Sequence, residues 1–230
     1  MYHTPIRLPR LLMPREGLDL SKWAVVACDQ YTSQPDYWAK ADAYVGDAPS
    51  TLRLTLPEVY LEQPDVQERT AEIQKTMLRY QQDGTLTEYA PGMILVERTT
   101  QSGTRRGVVL AFDLEAYDYN PGSQSLIRPT EKTVVERIPP RLAVREGASL
   151  ELPHIMLLID DPERKVIEPL FARKDSFRQA YDTDLMLGGG HLSGWFVPEG
   201  AETAALIERL DGLADPAAFN KKYGLTGEHA

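Results

Sequence analysis

Cysteine is almost absent: Cys28 is the only one in 230 residues. One thiol excludes an intrachain disulfide and any zinc site built from several cysteines, and it fits a reducing compartment. Histidine is scarce too, and His3, His154, His191 and His229 stand at no metal-ligand spacing from one another. There is no run of Lys and Arg. The pair Arg105–Arg106 is no track for a phosphate backbone, and a formal net charge of −9 repels nucleic acid and anionic membrane. No apolar stretch is long enough to span a bilayer. The opening MYHTPIRLPRLLMPREG is cut by three prolines and three arginines, so it lacks the apolar centre of a secretion signal. A Gly-Lys-Ser/Thr run is missing, which excludes a Walker-type phosphate loop. Gly188–Gly190 opens no helix after a strand and suits a bent strand or a close backbone approach instead. The expected location is the cytoplasm, with neither nucleic acid nor membrane as a partner.

What is present is an ordinary globular composition, 42% hydrophobic and 26% charged. The length suits one large domain or two small ones. Trp23–Ala27 (WAVVA) is a short β-branched run and predicts a buried strand. Pro35, Asp36, Tyr37 and Trp38 open a helix that stops at Gly46. The alternation in Leu52–Leu56 predicts a strand. Asp65 and Glu68 form an aspartate capping box, and Val66, Ile73, Met77 and Tyr80 share one helical face up to Asp83-Gly84.

Residues 92–98 and 106–113 predict a β-hairpin around Gly103. Thr133–Val144 predicts a helix that Pro139-Pro140 must start, kink or interrupt. Residues 154–159 (HIMLLI) predict a strong strand, followed by a short helix through Phe171. A second hairpin is expected around Gly188–Gly190, and Ala201–Leu213 is an amphipathic helix. The fold class is α+β, with a mixed, largely antiparallel sheet and flanking helices. The division falls near Asp83–Gly92, between a helix-rich part (1–90) and a β-rich part (91–230), unless the two form one continuous domain.

Three polar segments stand at the expected ends of apolar strands, where side chains can converge on a crevice. They are Cys28–Ser33, then Ile127–Thr133 with Glu136, Arg137 and Arg141, then Asp160-Asp161. If they converge, the chemistry is anion binding or phosphoryl transfer. Glu131 would accept a proton from a substrate hydroxyl. Arg128, Arg137 and Arg141 would hold carboxylate or phosphate through their planar forks. Asp29 and Thr133 would line the same ligand, and Asp160 and Asp161 would hold Mg²⁺. His191, beside the glycines, would line a pocket. Each residue has a bland reading as well: Glu131 as a helix cap, Asp160-Asp161-Pro162 as a turn, His191 as structural, and Cys28 as a small buried apolar residue beside Asp29.

The stretches WAVVACDQYTSQPDYW, LPEVYLE, SLIRPTEKTVVERIPPR, LPHIMLLIDDP and DLMLGGGHLSGW resemble, in order, a bacterial family known as domain-of-unknown-function family 1015. The resemblance runs from about residue 20 to residue 200. Longer members are similar further on, at an Asp-Gly-Asn/His-His segment, to free-serine kinases of the ParB and sulfiredoxin-like superfamily. That likeness implies an ATP- and Mg²⁺-dependent kinase of a small, serine-like metabolite, with Glu131 as the acidic motif residue. Here Asp83-Gly84 and Asp211-Gly212 are followed by Thr and Leu, so the second motif is missing. The expectation is the first part of a longer enzyme, inactive alone. The competing readings are a non-catalytic module for an anionic metabolite and a structural domain.

Overall fold

The computed structural model describes residues 5–118, 120, 125, 127–128, 134–152 and 154–225. The chain opens with two short strands, β1 (Ile6–Arg7) and β2 (Leu12–Pro14), spaced by prolines that leave no helical option. Asp19 then accepts a hydrogen bond from Ser21 N and starts the single turn α1 (Leu20–Trp23). In α2 (Pro35–Val45), Pro35 sits in the first turn, where its missing N–H costs nothing, and Gly46 ends the helix at φ 56°. Trp38, Ala41 and Val45 fall on one face and are buried with Val26, Leu52 and Met186.

Helix α3 (Val66–Gln82) buries Ile73, Met77 and Tyr80 against Trp23, Leu54, Leu56 and Val144. After it, β3 (Leu86–Glu88) pairs antiparallel with β2. The main sheet has the order β5–β4–β8–β7, all antiparallel. Its strands are β4 (Gly92–Thr100), β5 (Gly103–Val109), β7 (Arg178–Leu185) and β8 (Gly190–Pro198), while β6 (Ala111–Phe112) returns to pair with β1. The remaining helices are α4 (Ile138–Glu146), α5 (Glu168–Phe171), α6 (Ala201–Gly212) and α7 (Pro216–Tyr223).

Strand alternation divides the sheet residues between two cores. Met93, Leu95, Trp195 and Val197 face Leu206 and Leu210 of α6 and Leu170 and Phe171 of α5. Ile94 and Phe196 point the other way, onto Leu11 of the N-terminal arm. Each fully buried aliphatic side chain stabilises the fold by about 1.5–3 kcal/mol relative to exposure. No helix among the described residues is long and apolar enough to cross a membrane.

The α+β class, the antiparallel sheet and both hairpins follow the sequence pattern. Three expected strands do not form. Residues 24–27 run on from α1 without pairing. Thr51–Leu54 is a 3-10 turn, because Ser50 Oγ accepts from Leu52 N while Tyr80 Oη holds Ser50 N. Residues 154–159 belong to no sheet. Asp65 makes no side-chain cap; its carboxylate takes Arg69 Nε at 2.9 Å instead. Helix α4 begins only at Ile138, with Pro139 and Pro140 absorbed in its first turn, so residues 134–137 are not part of it.

Candidate functional site

The polar segments gather in three places. The first is built on Glu58, in a short 3-10 turn (Glu58–Tyr60) after Pro57. Glu58 N donates to Cys28 O at 3.0 Å, which draws the turn onto the Cys28–Asp29 segment. Its carboxylate is 6% exposed and receives Arg137 Nη1 at 2.9 Å on one oxygen and Arg141 Nη2 on the other. Arg137 immediately precedes α4 and Arg141 lies in its first turn, four residues on, so both reach the same carboxylate. Helix α4 is itself held on α3 by Gln74, whose Nε2 donates to Ala143 O at 2.9 Å. Arg145, a further turn along, pairs with Glu151.

Two guanidiniums on one carboxylate leave a local charge of +1, in a chain that is acidic overall. Arg137 and Arg141 are 50% and 45% exposed, so their remaining N–H donors face solvent. The half-buried Cys28 thiol is pushed up, first by burial and then by the Asp29 charge, with Arg141 and Arg145 pulling the other way. A thiol shifted in that direction is a poor nucleophile, as its neighbour in the sequence suggests.

The second place is α7. Arg128 lies over the Phe219 ring at 5.0 Å, and Phe219 packs on Tyr223. Lys222 Nζ and Tyr223 Oη both bind the Asp160 carboxylate, at 2.6 and 2.8 Å, and hold it below its usual range, Lys222 first. Asp161 instead caps the following turn, accepting from Val166 N at 2.8 Å. Among the described residues no group of three or more His, Cys, Asp or Glu side chains is arranged to hold a metal ion.

The third place is a square on the sheet. Asp182 and Asp184 share one face of β7, and their register partners Ser193 and His191 share the same face of β8. Ser193 Oγ donates to Asp182 Oδ1 at 2.6 Å. His191 Nε2 lies 2.8 Å from Asp182 Oδ1, and Nδ1 lies 2.8 Å from Asp184 Oδ1. A neutral imidazole has only one N–H, so two carboxylates are satisfied together only by the imidazolium. The His191 pKa is accordingly raised, by Asp184 first and Asp182 second. Because the ring nitrogens point apart, this square is a clamp on histidine, not a set of ligands converging on one ion.

Arg137 and Arg141 are therefore brought to the Cys28–Asp29 segment. Arg128 and Asp160 meet on α7, and the partners of His191 come from neither group. Glu131 and Thr133 lie outside the described residues. Sequence reasoning passed over Glu58, although it stands within the LPEVYLE stretch. It also passed over Asp182 and Asp184, whose spacing of two on a strand was a usable signal. The family DUF1015, described as a protein of unknown function, matches residues 12–218. The chain belongs to DUF1015. No curated protein and no solved structure matches this DUF1015 chain.

Proposed function

We propose that the chain binds a small anionic metabolite, bearing carboxylate or phosphate, on the solvent face of Arg137 and Arg141. The observation that carries this reading is the shared carboxylate of Glu58. A buried acid fixes two guanidinium planes from behind while leaving an excess positive charge and free donors in front. A guanidinium held this way loses little freedom on meeting a ligand fork, which favours bidentate binding. Isothermal titration with phosphoserine, L-serine, inorganic phosphate and ATP, with and without Mg²⁺, tests it. At least one should bind, and Arg137→Ala and Arg141→Ala should each weaken that ligand about tenfold or more, the loss of one charge-assisted hydrogen bond. Unchanged affinity in both variants rejects the site.

A finer reading adds phosphoryl transfer. The hydroxyl oxygen of a serine-like acceptor attacks the γ-phosphorus of ATP, the bond to the ADP oxygen breaks, and Glu131 takes the hydroxyl proton. Its support is the resemblance at the Thr130–Thr133 stretch and the position of Glu131 six residues before Arg137. ADP release from ATP, Mg²⁺ and L-serine by a longer family member that carries the Asp-Gly-Asn/His-His segment, lost when the residue matching Glu131 becomes Gln, is the expected result. Absence of ADP across amino acids and hydroxy acids, with anion binding intact, leaves only the binding module.

A further inference from the structure

A buried polar atom without a partner costs stability, so each one calls for a reason. Arg98 Nε and Tyr37 Oη are both sealed from solvent with no hydrogen-bond partner among the described residues. Arg98, on β4, donates from Nη2 to Gly189 O at 2.8 Å, in the turn that joins β7 to β8. Leu187 of that turn and Pro35, Asp36, Tyr37 and Lys40 of α2 line one cavity of about 520 Å³. Burial, and then Tyr31, push the Tyr37 hydroxyl up, while the nearby charge of Arg98 pulls it back. The backbone on both sides is strained, with Tyr31 at φ 54° and Leu187 at φ 55°, left-handed values that neither residue type favours. Tyr31 is fixed there by its carbonyl, which accepts from Trp38 Nε1 at 3.3 Å. Such strain gathers where a site needs it.

We propose that this cavity binds a small carboxylate with an apolar body, one carboxylate oxygen accepting from both Arg98 Nε and Tyr37 Oη. The chemistry of the two atoms selects the ligand group. A guanidinium Nε–H only donates, so the partner it lacks is an acceptor, and a phenol donates to the same oxygen. Charge selects an anion, because Arg98 and Lys40 stand against Asp36, the one acid in the lining. That balance of one positive charge matches a carboxylate better than a phosphate dianion. Size selects a body: the volume lies within the range of small-molecule sites and exceeds what a bare oxyanion fills. Pro35, Leu187 and the Tyr37 ring give that body apolar walls. Both donors are sealed from water, so the carboxylate reaches them when a rim side chain swings aside. Leu187, 42% exposed and on the turn that Arg98 grips, is placed to do so. The site shares no residue with the anion site on Arg137 and Arg141 and stands or falls separately.

Saturation-transfer NMR titrations of the full chain with benzoate, phenylacetate and the neutral phenylacetamide test the site. At least one carboxylate should bind, and the amide should bind about tenfold more weakly or worse, since it lacks the charge that Arg98 meets. Tyr37→Phe and Arg98→Lys should each weaken the carboxylate about tenfold, the second although it keeps the charge, because each removes one hydrogen bond to it. Tyr37→Phe should at the same time melt no lower than the native chain, which separates lost binding from a lost fold. Absence of binding by both carboxylates overturns the proposal, as does equal binding of the amide or unchanged affinity in both variants. Binding that Arg137→Ala abolishes and Tyr37→Phe leaves intact belongs to the other site and overturns this one as well.

Discussion

Glu58 and Arg137 stand 79 positions apart in the chain, yet Glu58 Oε2 accepts a 2.9 Å hydrogen bond from Arg137 Nη1. With Arg141 on the other oxygen, one buried carboxylate fastens the start of α4 to the Glu58–Tyr60 turn, whose Glu58 N is bonded to Cys28 O. Stability and ligand binding should therefore both depend on Glu58. Glu58→Gln removes the carboxylate that holds two arginines and should destabilise the fold by about 1–3 kcal/mol, less than a fully buried pair because the arginines are half exposed. It also releases both guanidiniums from the geometry that favours bidentate contact, so affinity for the bound anion should fall. Urea unfolding and anion titration on the same variant check the two signs.

The His191 clamp makes a pH prediction. Its folded pKa is raised above the ordinary 6.5 by Asp184 and Asp182. A raised cation contributes stability fully below about pH 6.5, and the contribution is lost as pH climbs through the folded value. Asp182 is held low, by Ser193 first and then His191, so its share is present above the ordinary 3.8 and lost as pH falls through its folded value. Between these limits the square is complete. The ring is largely exposed, so solvent screening keeps the effect below about 1 kcal/mol. Melting temperature against pH should fall across neutrality in the native chain and fall less in His191→Gln.

Gly190 opens β8 at φ 96°, and a Cβ there would run into the backbone carbonyl of Thr99 on β4. Gly190→Ala should cost about 1–3 kcal/mol from backbone strain alone, with the clash in addition. Gly107, on β5, has open space around it. Gly107→Ala should stay within about 0.5 kcal/mol of the native chain. Paired thermal melts of the two variants decide this.

Tyr37 Oη is buried with no hydrogen-bond partner among the described residues, and its ring is stacked on Tyr31 at 3.9 Å between ring centroids. An unsatisfied hydroxyl costs desolvation and returns nothing. Tyr37→Phe should therefore be neutral or stabilising by up to about 1 kcal/mol, against the usual direction for losing a tyrosine hydroxyl. Denaturant midpoints of the two proteins measure it.

The features legible in the sequence are those set by neighbours a few residues apart. The face of Ile73, Met77 and Tyr80 repeats at helical spacing, and α3 forms there. Gly103 and the glycines at 188–190 sit where two hairpins turn. The short apolar runs were ambiguous. Trp23–Ala27 looks like a strand, but Asp19 captures Ser21 N and starts a turn that takes in Trp23, while Val26 is buried under α2. Leu52–Leu56 alternates, yet Ser50 and Tyr80 impose a 3-10 turn that no local pattern announces. The arginines of the candidate site were legible as donors; their acid was not, because Glu58 in a Pro-led turn reads as a surface charge.

Local periodicity, turn residues and composition were enough to establish from the chain alone an α+β fold with a largely antiparallel sheet and hairpins around Gly103 and around the glycines at 188–190. Each depends on torsional preferences and on which side chains share a face within one element. Tertiary structure alone decided that Arg137 and Arg141 converge on Glu58, that Arg128 and Asp160 meet on α7, and that His191 sits between two aspartates. The Glu58 pairing joins positions distant in the chain, and its energy exists only once packing has removed water from the carboxylate and brought the guanidiniums to it; the His191 square needs the register of β7 on β8.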